Sequence, residues 1–428
     1  MSALAKCLFH YGYKVSGSDR YRGEQTESLV SLGIDVYIGE EKNRAALLEA
    51  DAVVYTDAIP FCNKELSQAR AMGKRLYSRA DFLAKLCEGF QTVIAVGGSH
   101  GKTTCTSMCA HVLKGIGVPF TAHIGGEDST FGNFYSDGLD YFVTEACEYK
   151  KNLLKIHANR AILLNVDNDH MECYKDEADL LHCFQQYCLQ SETAFVCADD
   201  ERCGLLGDFP SFGIRNVLAD YRAVDLRANK ERYAFTVEEY GRALCRIQLK
   251  AIGRCNVYNA LAAFAVMRSL GFEKTEIKKG LEEFSAVRRR FERIGGYRGA
   301  SFICDYAHHP KEIAATVQTA KGICQGRLYV VFQPHTYSRT RLLFTEFVSV
   351  LKKIDNLMLY KTYAAREHFD GAGSAQTLSV ALKNSLYAEN VYALKTWIKK
   401  TVKSGDVVLF LGAGDIYYAA QYLLKVLQ

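Results

Sequence analysis

The feature that most constrains this chain is a glycine-bearing loop that directly follows an apolar run. The run begins at Thr92, is rich in β-branched residues, and predicts a buried strand. It continues into residues 98–104, which read Gly-Ser-His-Gly-Lys-Thr-Thr, and then into a helix-compatible segment that extends to about Lys114. The backbone N–H groups of such a loop, together with the dipole of the following helix, favour a bound phosphate.

Two side chains of the loop extend this interpretation. Lys102 is placed to reach the outer phosphates of a nucleotide, and Thr103 to offer its hydroxyl to Mg²⁺. The common spacing G-x-x-x-x-G-K-[ST] puts its first glycine at position 96, where this chain has Val96, so the loop is a variant form. The alternative is a plain strand-to-helix turn with a chance lysine. Gly-Lys-Thr-Thr directly after a buried strand favours the phosphate site.

Composition limits the class of protein. A length of 428 residues predicts two or three domains. The mild net charge of +5 and the scattered Lys and Arg argue against a dedicated nucleic-acid or membrane surface. There is no apolar run of about 18 residues and no signal pattern at the start. Fifteen cysteines without C-x-x-C pairs indicate reduced thiols in a cytoplasmic enzyme.

The first part of the chain alternates helix and strand. We predict helices over 1–11 and 26–32 and strands over 13–19, 34–38 and 52–56, the rhythm of a doubly wound nucleotide-binding unit. Asp19 ends what would be the second strand of such a unit, where these folds meet a sugar hydroxyl. The usual first strand and its G-x-G-x-x-G loop are missing. Either the fold begins unusually or the chain lacks its natural start, and we expect the second.

The second part begins near Gln91 with the phosphate loop. A predicted strand over 140–144 is followed by Glu145, and another over 160–166 is followed by a polar segment that ends at His170. Ligands of open α/β sheets collect at the carboxyl ends of strands, so Glu145 and His170 are predicted to face the loop and ligate a divalent cation. The alternatives are a solvated carboxylate and a capping or loop histidine.

The chain then changes character twice. The alternating pattern over 212–249 predicts an antiparallel β excursion, followed by a helix over 253–270. Asn256 and Asn259 lie one turn apart on that helix and can face one ligand, although one of them could be a cap instead. The arginines at 288–290 mark the next boundary, as a solvated face or as a phosphate contact at an interdomain cleft.

The last part restarts the α/β rhythm. Predicted strands over 302–306, 328–332 and 407–411 end in polar or glycine-rich loops that we expect along one rim. His308 and Arg339 are candidate ligand-binding side chains there, with a structural loop histidine and a surface helix-start residue as the alternatives. The loop at 412–415 could equally be a tight turn.

These separated motifs, taken in order, resemble those of the Mur ligases, the ATP-dependent amide-bond ligases of peptidoglycan synthesis. The resemblance covers essentially the whole chain and departs from the family pattern at Ser99, Cys147, Tyr149, Cys255, Ala307 and Thr336. The His-His-Pro, Gln-Pro-His and 15–19 segments resemble the members that add L-alanine. The motifs that carry the resemblance lie at 98–104, 145–148, 165–170, 256–260, 288–291, 305–310 and 333–340.

The resemblance implies an α/β fold of three domains. The first, 1–90, is a Rossmann-like domain for the UDP sugar, with its first strand missing. The second, 91–294, is a P-loop ATPase domain with a mostly parallel sheet. The third, 295–428, is a Rossmann-like α/β domain that closes over ATP and brings the amino acid.

The resemblance also implies the reaction and its residues. L-Alanine is joined to UDP-N-acetylmuramate through an acyl phosphate, with ATP and Mg²⁺ or Mn²⁺, by a cytoplasmic monomer or weak homodimer that binds no nucleic acid or membrane. The implied catalytic residues are Lys102, Glu145, His170, Arg290 and His308. Thr103 is implied to hold one metal ion, and Glu145 and His170 a second. The implied ATP contacts are Gly98, Ser99, His100, Gly101, Lys102, Thr103, Thr104, Asn256, Asn259, Arg290 and Asp305. The implied substrate contacts are Ser18, Asp19, Thr56, Arg79, Gly125, Gly126, Tyr306, His308, His335 and Arg339.

Two other functions remain open at this stage. A recycling ligase would join a preformed peptide to the same sugar nucleotide. A catalytically silent homologue would bind nucleotide only, and its expected mark is the loss of Lys102, Glu145 or His170, all of which are present.

Overall fold

The computed structural model describes residues 1–39 and 43–427, and residues 40–42 and 428 of the predicted domains lie outside the described ones. The chain forms two compact units. The first comprises Met1–Val224, Thr236–Ile247 and Tyr258–Phe284, and the second comprises Asp225–Phe235, Gln248–Val257 and Ser285–Gln428.

Helices and strands alternate through most of the described chain. The strands are β1 (Ser16–Asp19), β2 (Asp35–Ile38), β3 (Ala52–Tyr55), β4 (Arg75–Ser78), β5 (Thr92–Gly97), β6 (Phe120–Asp128), β7 (Gly132–Ser136), β8 (Tyr141–Glu145), β9 (Arg160–Leu163), β10 (Thr193–Cys197), β11 (Ser211–Gly213), β12 (Tyr221–Asn229), β13 (Arg232–Glu239), β14 (Arg242–Ile252), β15 (Glu292–Tyr297), β16 (Ala300–Asp305), β17 (Leu328–Phe332), β18 (Asn356–Tyr360), β19 (Ser385–Ala388) and β20 (Val407–Leu411). The α-helices are α1 (Ser2–His10), α2 (Glu24–Ser31), α3 (Arg44–Glu49), α4 (Lys64–Ala71), α5 (Arg79–Cys87), α6 (Lys102–Ile116), α7 (Glu177–Leu189), α8 (Cys255–Ser269), α9 (Lys274–Glu283), α10 (Pro310–Ile323), α11 (Tyr337–Leu342), α12 (Phe344–Leu351), α13 (Ala375–Ala381), α14 (Val391–Thr401) and α15 (Ile416–Leu427). Short 3-10 helices lie at Tyr149–Lys155, Met171–Cys173, Cys203–Leu205 and Gly371–Gly373.

The first ninety residues hold two separate parallel strand pairs, β1 with β2 and β3 with β4. The predicted helices and strands of this part are present, although β1 begins at Ser16 rather than at residue 13. A cavity of about 150 Å³ is lined by residues of both pairs, among them Ser16–Ser18 of β1 and Ala52–Val54 of β3.

The phosphate-loop strand β5 lies inside a ten-stranded sheet of order β14-β13-β12-β11-β10-β9-β5-β8-β6-β7. Both neighbours of β5 run parallel to it. Ile94, Ala95 and Val96 are completely buried, as expected for a strand covered on both faces. The carboxyl ends of β8 and β9 therefore come to the same edge as the loop after β5.

Two details of this sheet differ from the sequence-based expectation. The excursion over 212–249 does not begin antiparallel, because β11 pairs parallel with both β10 and β12. The connections from β12 to β13 and from β13 to β14 are two-residue turns with positive φ at both positions (Lys230, Glu231, Tyr240 and Gly241), as in tight hairpins. The strand predicted over 160–166 ends at Leu163, where the chain turns toward the loop.

The second unit has a six-stranded sheet of order β15-β16-β20-β17-β18-β19. Only β15 pairs antiparallel, and the other pairs are parallel. In register, Asp305 pairs with Leu411, which pairs with Phe332, so β16, β20 and β17 end side by side. The expected common rim for the loops after these strands is confirmed.

No helix in the described part of the chain has the length and apolar character needed to cross a membrane.

Helices α6 and α9 touch at a glycine. A Cβ at Gly280 would lie 2.5 Å from Cα of Val112 and 2.9 Å from the carbonyl oxygen of His111. Both of these are backbone atoms of a helix that packs on the sheet, so neither can move without shifting α6. Close approach of the two helices therefore requires the glycine.

We predict that Gly280→Ala destabilises the chain by about 1–3 kcal/mol, because the helices must separate, even though alanine is the better helix former by about 1 kcal/mol. Urea unfolding measures the change. Gly204→Ala is the matched control, since a Cβ there meets nothing within 4 Å. Equal stability of the two variants would contradict the close packing.

A second buried feature of this unit is the histidine of β6. His123 is 6 % exposed, and its Nδ1 lies 3.0 Å from the hydroxyl of Thr144. Burial, with the positive charge of Arg79 adding to it, lowers the pKa of His123 to about 3. The fold therefore holds this ring neutral, whereas the unfolded chain protonates it below about pH 6.5.

Because of this difference in pKa, the contribution of His123 to the unfolding free energy depends on pH. The contribution is complete above about pH 6.5, and it falls by about 1.4 kcal/mol per pH unit as the pH drops from there toward the folded pKa. We expect His123→Gln to flatten the decline in unfolding free energy between pH 6.5 and 5 by up to about 2 kcal/mol. Urea titrations at several pH values measure it. An unchanged pH dependence would show that the ring is not held neutral.

Candidate functional site

The loop after β5 contains two glycines in left-handed backbone conformations, Gly98 (φ 123°) and Gly101 (φ 89°). A Cβ at Gly98 would lie 3.1 Å from backbone atoms of Leu164 and Asn165, and one at Gly101 would lie 2.7 Å from Oδ1 of Asn259. Side chains are excluded at both positions, so only backbone lines this part of the loop.

The polar segment after β9 holds the loop after β5 in place through hydrogen bonds. The N–H of His100 donates to Oδ1 of Asn165 at 2.8 Å, and Asn165 Nδ2 donates back to the His100 carbonyl at 3.0 Å. The N–H of Asp167 donates to the Ser99 hydroxyl at 2.8 Å. The His100 Nε2 lies 3.1 Å from an oxygen of Asp167. Ser99 and His100 thus shape the loop through their side chains as well as their backbone.

Lys102 points back into the loop. Its Nζ donates to the carbonyls of Gly98 at 2.5 Å and Ser99 at 3.0 Å, and it lies 3.0 and 2.9 Å from the two carboxylate oxygens of Glu148. Burial works to lower the pKa of Lys102, but the Glu148 carboxylate outweighs it, with support from Cys147 and Glu145, and the pKa lies above its ordinary value. The ammonium is therefore charged inside the loop.

A group of possible cation ligands lies next to Lys102. Glu148, Asp169 and His170 each offer one ligand atom, and these atoms lie within 4.8 Å of one another. Glu148 and Asp169 are buried, and His170 is half-buried with a left-handed backbone (φ 56°). Two carboxylates and an imidazole suit a divalent cation such as Mn²⁺, or Mg²⁺ with water completing its shell.

Glu145 is placed differently from the prediction that pairs it with His170. Its Oε1 accepts the N–H of Gly125 at 2.6 Å, and it is not part of the group formed by Glu148, Asp169 and His170. A Cβ at Gly125 would lie 2.5 Å from that oxygen, so the position requires glycine. Gly126 follows on the same strand, β6. Glu148 and Asp169 were missed as site residues, although both lie within the motifs at 145–148 and 165–170.

The loop residues that follow Lys102 enter α6. Thr103 and Thr104 are 6 % and 8 % exposed in its first turn. Asn259 contacts the same region, since its Oδ1 faces Gly101 and its carbonyl accepts a weak hydrogen bond from the Cys105 thiol at 3.6 Å. The helix N-terminus, the glycine-lined backbone and the buried ammonium together fit an anion such as a nucleotide phosphate.

The predicted sugar-nucleotide residues make local contacts. The Ser18 hydroxyl donates to Glu65 at 2.5 Å, an Asp19 carboxylate oxygen accepts the N–H of Tyr21 at 3.3 Å, and the Thr56 hydroxyl accepts the N–H of Ala58 at 3.3 Å. Arg79 begins α5 and lies close enough to His123 to lower the pKa of that ring.

In the second unit, Tyr306 lies close to two arginines. The guanidinium carbons of Arg289 and Arg290 are 4.7 and 4.9 Å from its ring centroid. Arg289 also donates to the carbonyls of Gly412 at 3.1 Å and Gly414 at 2.8 Å, which ties the loop after β20 to this cluster. Of the predicted triple arginine, Arg289 is therefore a structural link, and Arg290 stacks on a predicted substrate residue.

Asp305 and Asn256 are also in this unit. The Asp305 carboxylate accepts N–H bonds from Phe291 at 2.7 Å and Ala307 at 2.8 Å. Burial raises the pKa of Asp305, although the Arg290 charge opposes the shift. Asn256 Nδ2 donates to the carbonyl of Ile252 at 2.8 Å, across the turn into α8.

His308 has a defined tautomer. Its Nδ1 lies 3.0 Å from the carbonyl oxygen of Tyr306, which can only accept, so Nδ1 carries a hydrogen. The Glu312 carboxylate lies 3.4 Å from the same nitrogen. Nε2 is consequently the basic nitrogen of the neutral ring. The His335 ring lies edge-on to His308, with 5.8 Å between centroids, and stacks on Tyr363 at 5.5 Å.

The loop after β17 is anchored by a buried amide that was not predicted as a site residue. Gln333 is fully buried, and its Nε2 donates to Asp415 at 2.6 Å while its Oε1 accepts the N–H of Ile416 at 3.0 Å. Thr336 then caps α11 in a left-handed conformation (φ 64°) and accepts the N–H of Arg339 at 3.4 Å. His335 and Arg339 are thereby set at the rim.

Comparison with known protein families agrees with this arrangement. Three profiles match consecutive parts of the chain: "Mur ligase family, catalytic domain" over 1–91, "Mur ligase middle domain" over 96–267, and "Mur ligase, glutamate ligase domain" over 289–414.

Curated relatives match the whole chain. The UDP-N-acetylmuramate–L-alanine ligase of Clostridium novyi is 38% identical over 438 residues, which cover 99% of this chain and 95% of that protein. The ligase of the same name from Acetivibrio thermocellus is 36% identical over 439 residues, covering 99% and 93%.

Solved structures agree in fold. The UDP-N-acetylmuramate-alanine ligase of Thermotoga maritima superposes with a TM-score of 0.86 at 29% identity and covers 100% of this chain and 96% of that one. The murein peptide ligase of Psychrobacter arcticus reaches 0.76 at 22% identity, with the same coverage, and shows the fold alone. The three-domain α/β fold implied by the sequence motifs is therefore confirmed, and the chain belongs to the Mur ligase family of ATP-dependent ligases.

Proposed function

We propose that this chain joins L-alanine to UDP-N-acetylmuramate, with ATP converted to ADP and phosphate, as an early step of peptidoglycan synthesis. The observation that carries the proposal is the buried, charged Lys102 inside a glycine-lined loop, with cation ligands behind it. Relatives that carry this activity in their names match 99% of the chain.

The chemistry explains why such a site is needed. A carboxylate is a poor acyl donor, so the γ-phosphoryl group of ATP is first moved onto the carboxylate of the sugar nucleotide. The amine then attacks the carbonyl carbon of the acyl phosphate, and phosphate leaves. Two anions must be brought together, so positive charge has to converge on the phosphates. Lys102 supplies it from the loop, and Arg290 is the arginine proposed to join it.

Most of the proposed ATP contacts belong to the loop after β5. Gly98, Ser99, His100, Gly101 and Thr104 would surround the phosphates with backbone and short side chains. Asn256, Asn259 and Asp305 are the proposed contacts of adenine and ribose. The ranges 1–90, 91–294 and 295–428 are proposed as the sugar-nucleotide, ATP and amino-acid domains.

A divalent cation, Mg²⁺ or Mn²⁺, would neutralise phosphate charge when bound. Thr103 is the proposed ligand of one ion, and Glu145 and His170 were expected to hold a second. The donors next to Lys102 fit that second ion with a different partner for His170, since Glu148 and Asp169 offer carboxylate oxygens beside it, whereas Glu145 accepts the N–H of Gly125.

The amino-acid pocket is proposed at the rim of the second unit. Tyr306, His308, His335 and Arg339 come from loops after adjacent strands. Arg339 would pair with the alanine carboxylate, because a planar guanidinium matches it. His308 would accept a proton from the alanine ammonium at Nε2, since Nδ1 already carries a hydrogen.

The sugar nucleotide is assigned to a third set of residues, from the first ninety residues and from β6. The proposed contacts are Ser18, Asp19, Thr56, Arg79, Gly125 and Gly126. The substrates are small molecules used in the cytoplasm, and the mild, scattered charge suits a protein that acts there without nucleic acid or membrane, as a monomer or weak homodimer.

We predict that phosphate release from ATP, in the presence of UDP-N-acetylmuramate, is fastest with L-alanine among L-alanine, L-serine, glycine, D-glutamate and the cell-wall tripeptide. Lys102→Ala should lower this rate at least about 100-fold. Lys114→Ala, on the same helix and half-exposed, is the control that should retain activity. Release with the tripeptide alone would instead identify a recycling ligase, and unchanged turnover of Lys102→Ala would refute the loop assignment.

A further inference from the structure

Glu148 connects the two halves of the phosphate site. Its side chain is 3 % exposed, and both carboxylate oxygens contact the Lys102 ammonium, at 3.0 and 2.9 Å. A carboxylate oxygen of the same residue also lies within 4.8 Å of the ligand atoms of Asp169 and His170. One buried carboxylate is therefore within reach of both the phosphate-binding lysine and the proposed cation.

All three N–H donors of the Lys102 ammonium are used in this arrangement. An ammonium group carries three N–H donors, and Lys102 directs them to the Gly98 carbonyl, the Ser99 carbonyl and the Glu148 carboxylate. A phosphate oxygen can bond to Lys102 only if one of these partners leaves.

The partner that can leave is Glu148. The two carbonyls belong to the loop backbone, which Asn165 and Asp167 fasten. The main chain of Glu148 is also held, since its carbonyl accepts bonds from Tyr174 OH at 2.6 Å and from the N–H of Lys151 at 2.9 Å. Its carboxylate, by contrast, lies at the end of a side chain with several rotatable bonds, and its negative charge repels an arriving phosphate.

A displaced Glu148 carboxylate needs another positive partner. A buried charge without one costs several kcal/mol, and a divalent cation held by the neighbouring Asp169 and His170 would supply it. We propose that Glu148 is a positioning residue that changes partner during loading: it pairs with Lys102 before nucleotide binds, and with the divalent cation afterwards. This inference rests on the proposed ATP-dependent function and makes nucleotide and metal binding interdependent.

Glu148→Gln tests the exchange, because the amide keeps the shape and removes the charge. We expect its affinity for ATP in EDTA to rise about threefold, since Lys102 is no longer held by a carboxylate, and its affinity in Mg²⁺ to fall. The ratio of the two dissociation constants, without and with Mg²⁺, should drop about tenfold, a common size for coupling between two ligands. Calorimetric titration of the full chain measures both constants without turnover.

A purely structural role for Glu148 would weaken both affinities by one factor and leave the ratio unchanged, which would overturn the proposal. Glu192→Gln is the matched control, since it removes a carboxylate 3.4 Å from Arg160 and should not change the ratio. In a Lys102→Met background, Glu148→Gln should raise the affinity in EDTA by less than it does when Lys102 is present, because only the repulsion between carboxylate and phosphate is then relieved. An equal rise in the two backgrounds would also contradict the exchange.

Glu148→Asp keeps the charge on a shorter side chain and replaces the amide variant if that one does not fold. We expect an intermediate ratio of the two dissociation constants for it, and an unchanged ratio would contradict the proposal.

The proposed function and the exchange by Glu148 can be refuted separately. Absence of ATP binding to the unaltered chain in Mg²⁺ would refute the proposed function itself. Normal binding with an unchanged ratio in the variants would refute only the exchange by Glu148.

Discussion

The arrangement of the candidate site depends on one positive charge, the Lys102 ammonium, which lies inside a backbone loop. The Lys102 ammonium is 15 % exposed, and removing such an ion from water costs several kcal/mol unless its hydrogens are all bonded and a counter-charge is near. Two loop carbonyls and Glu148 meet both conditions. The same loop contains Gly98 and Gly101, which adopt backbone conformations that other residues avoid.

The parallel sheet brings the counter-charges to this loop. In register, Val96 of β5 pairs with Glu145 of β8, and Gly97 pairs with Leu163 of β9. The chain segments that leave β8 and β9 therefore start beside the loop, and they carry Glu148 and the Asp167–His170 segment. The second unit uses the same rule, since β16, β20 and β17 end in register and supply Asp305, the glycine loop and Gln333 to one rim.

Strand ends and loops could be predicted because their causes are local. A β-branched run predicts a buried strand, and polar residues after it mark the edge where ligands gather, so β5, β8, β16, β17 and β20 and the loops behind them were expected. The parallel pairing of β11 was not, because a three-residue strand has too little pattern of its own and takes its direction from β10.

Side-chain partners depended on geometry that the sequence does not contain. Gln333 bonds to Asp415, 82 residues away, and Lys102 pairs with Glu148 rather than Glu145, which faces Gly125. Both glutamates lie in the same four-residue motif, and only the path of the chain after β8 decides which one reaches the lysine. The Nδ1 hydrogen of His308 likewise follows from one carbonyl in space.

The central claim is that this site moves a phosphoryl group from ATP onto a carboxylate before the amide bond forms. UDP-N-acetylmuramate labelled with ¹⁸O in its carboxylate tests it directly, with mass analysis of the phosphate released during turnover with L-alanine. One labelled oxygen in each phosphate is the predicted result, because the oxygen that accepts the phosphoryl group leaves with it. Phosphate without the label would contradict the account.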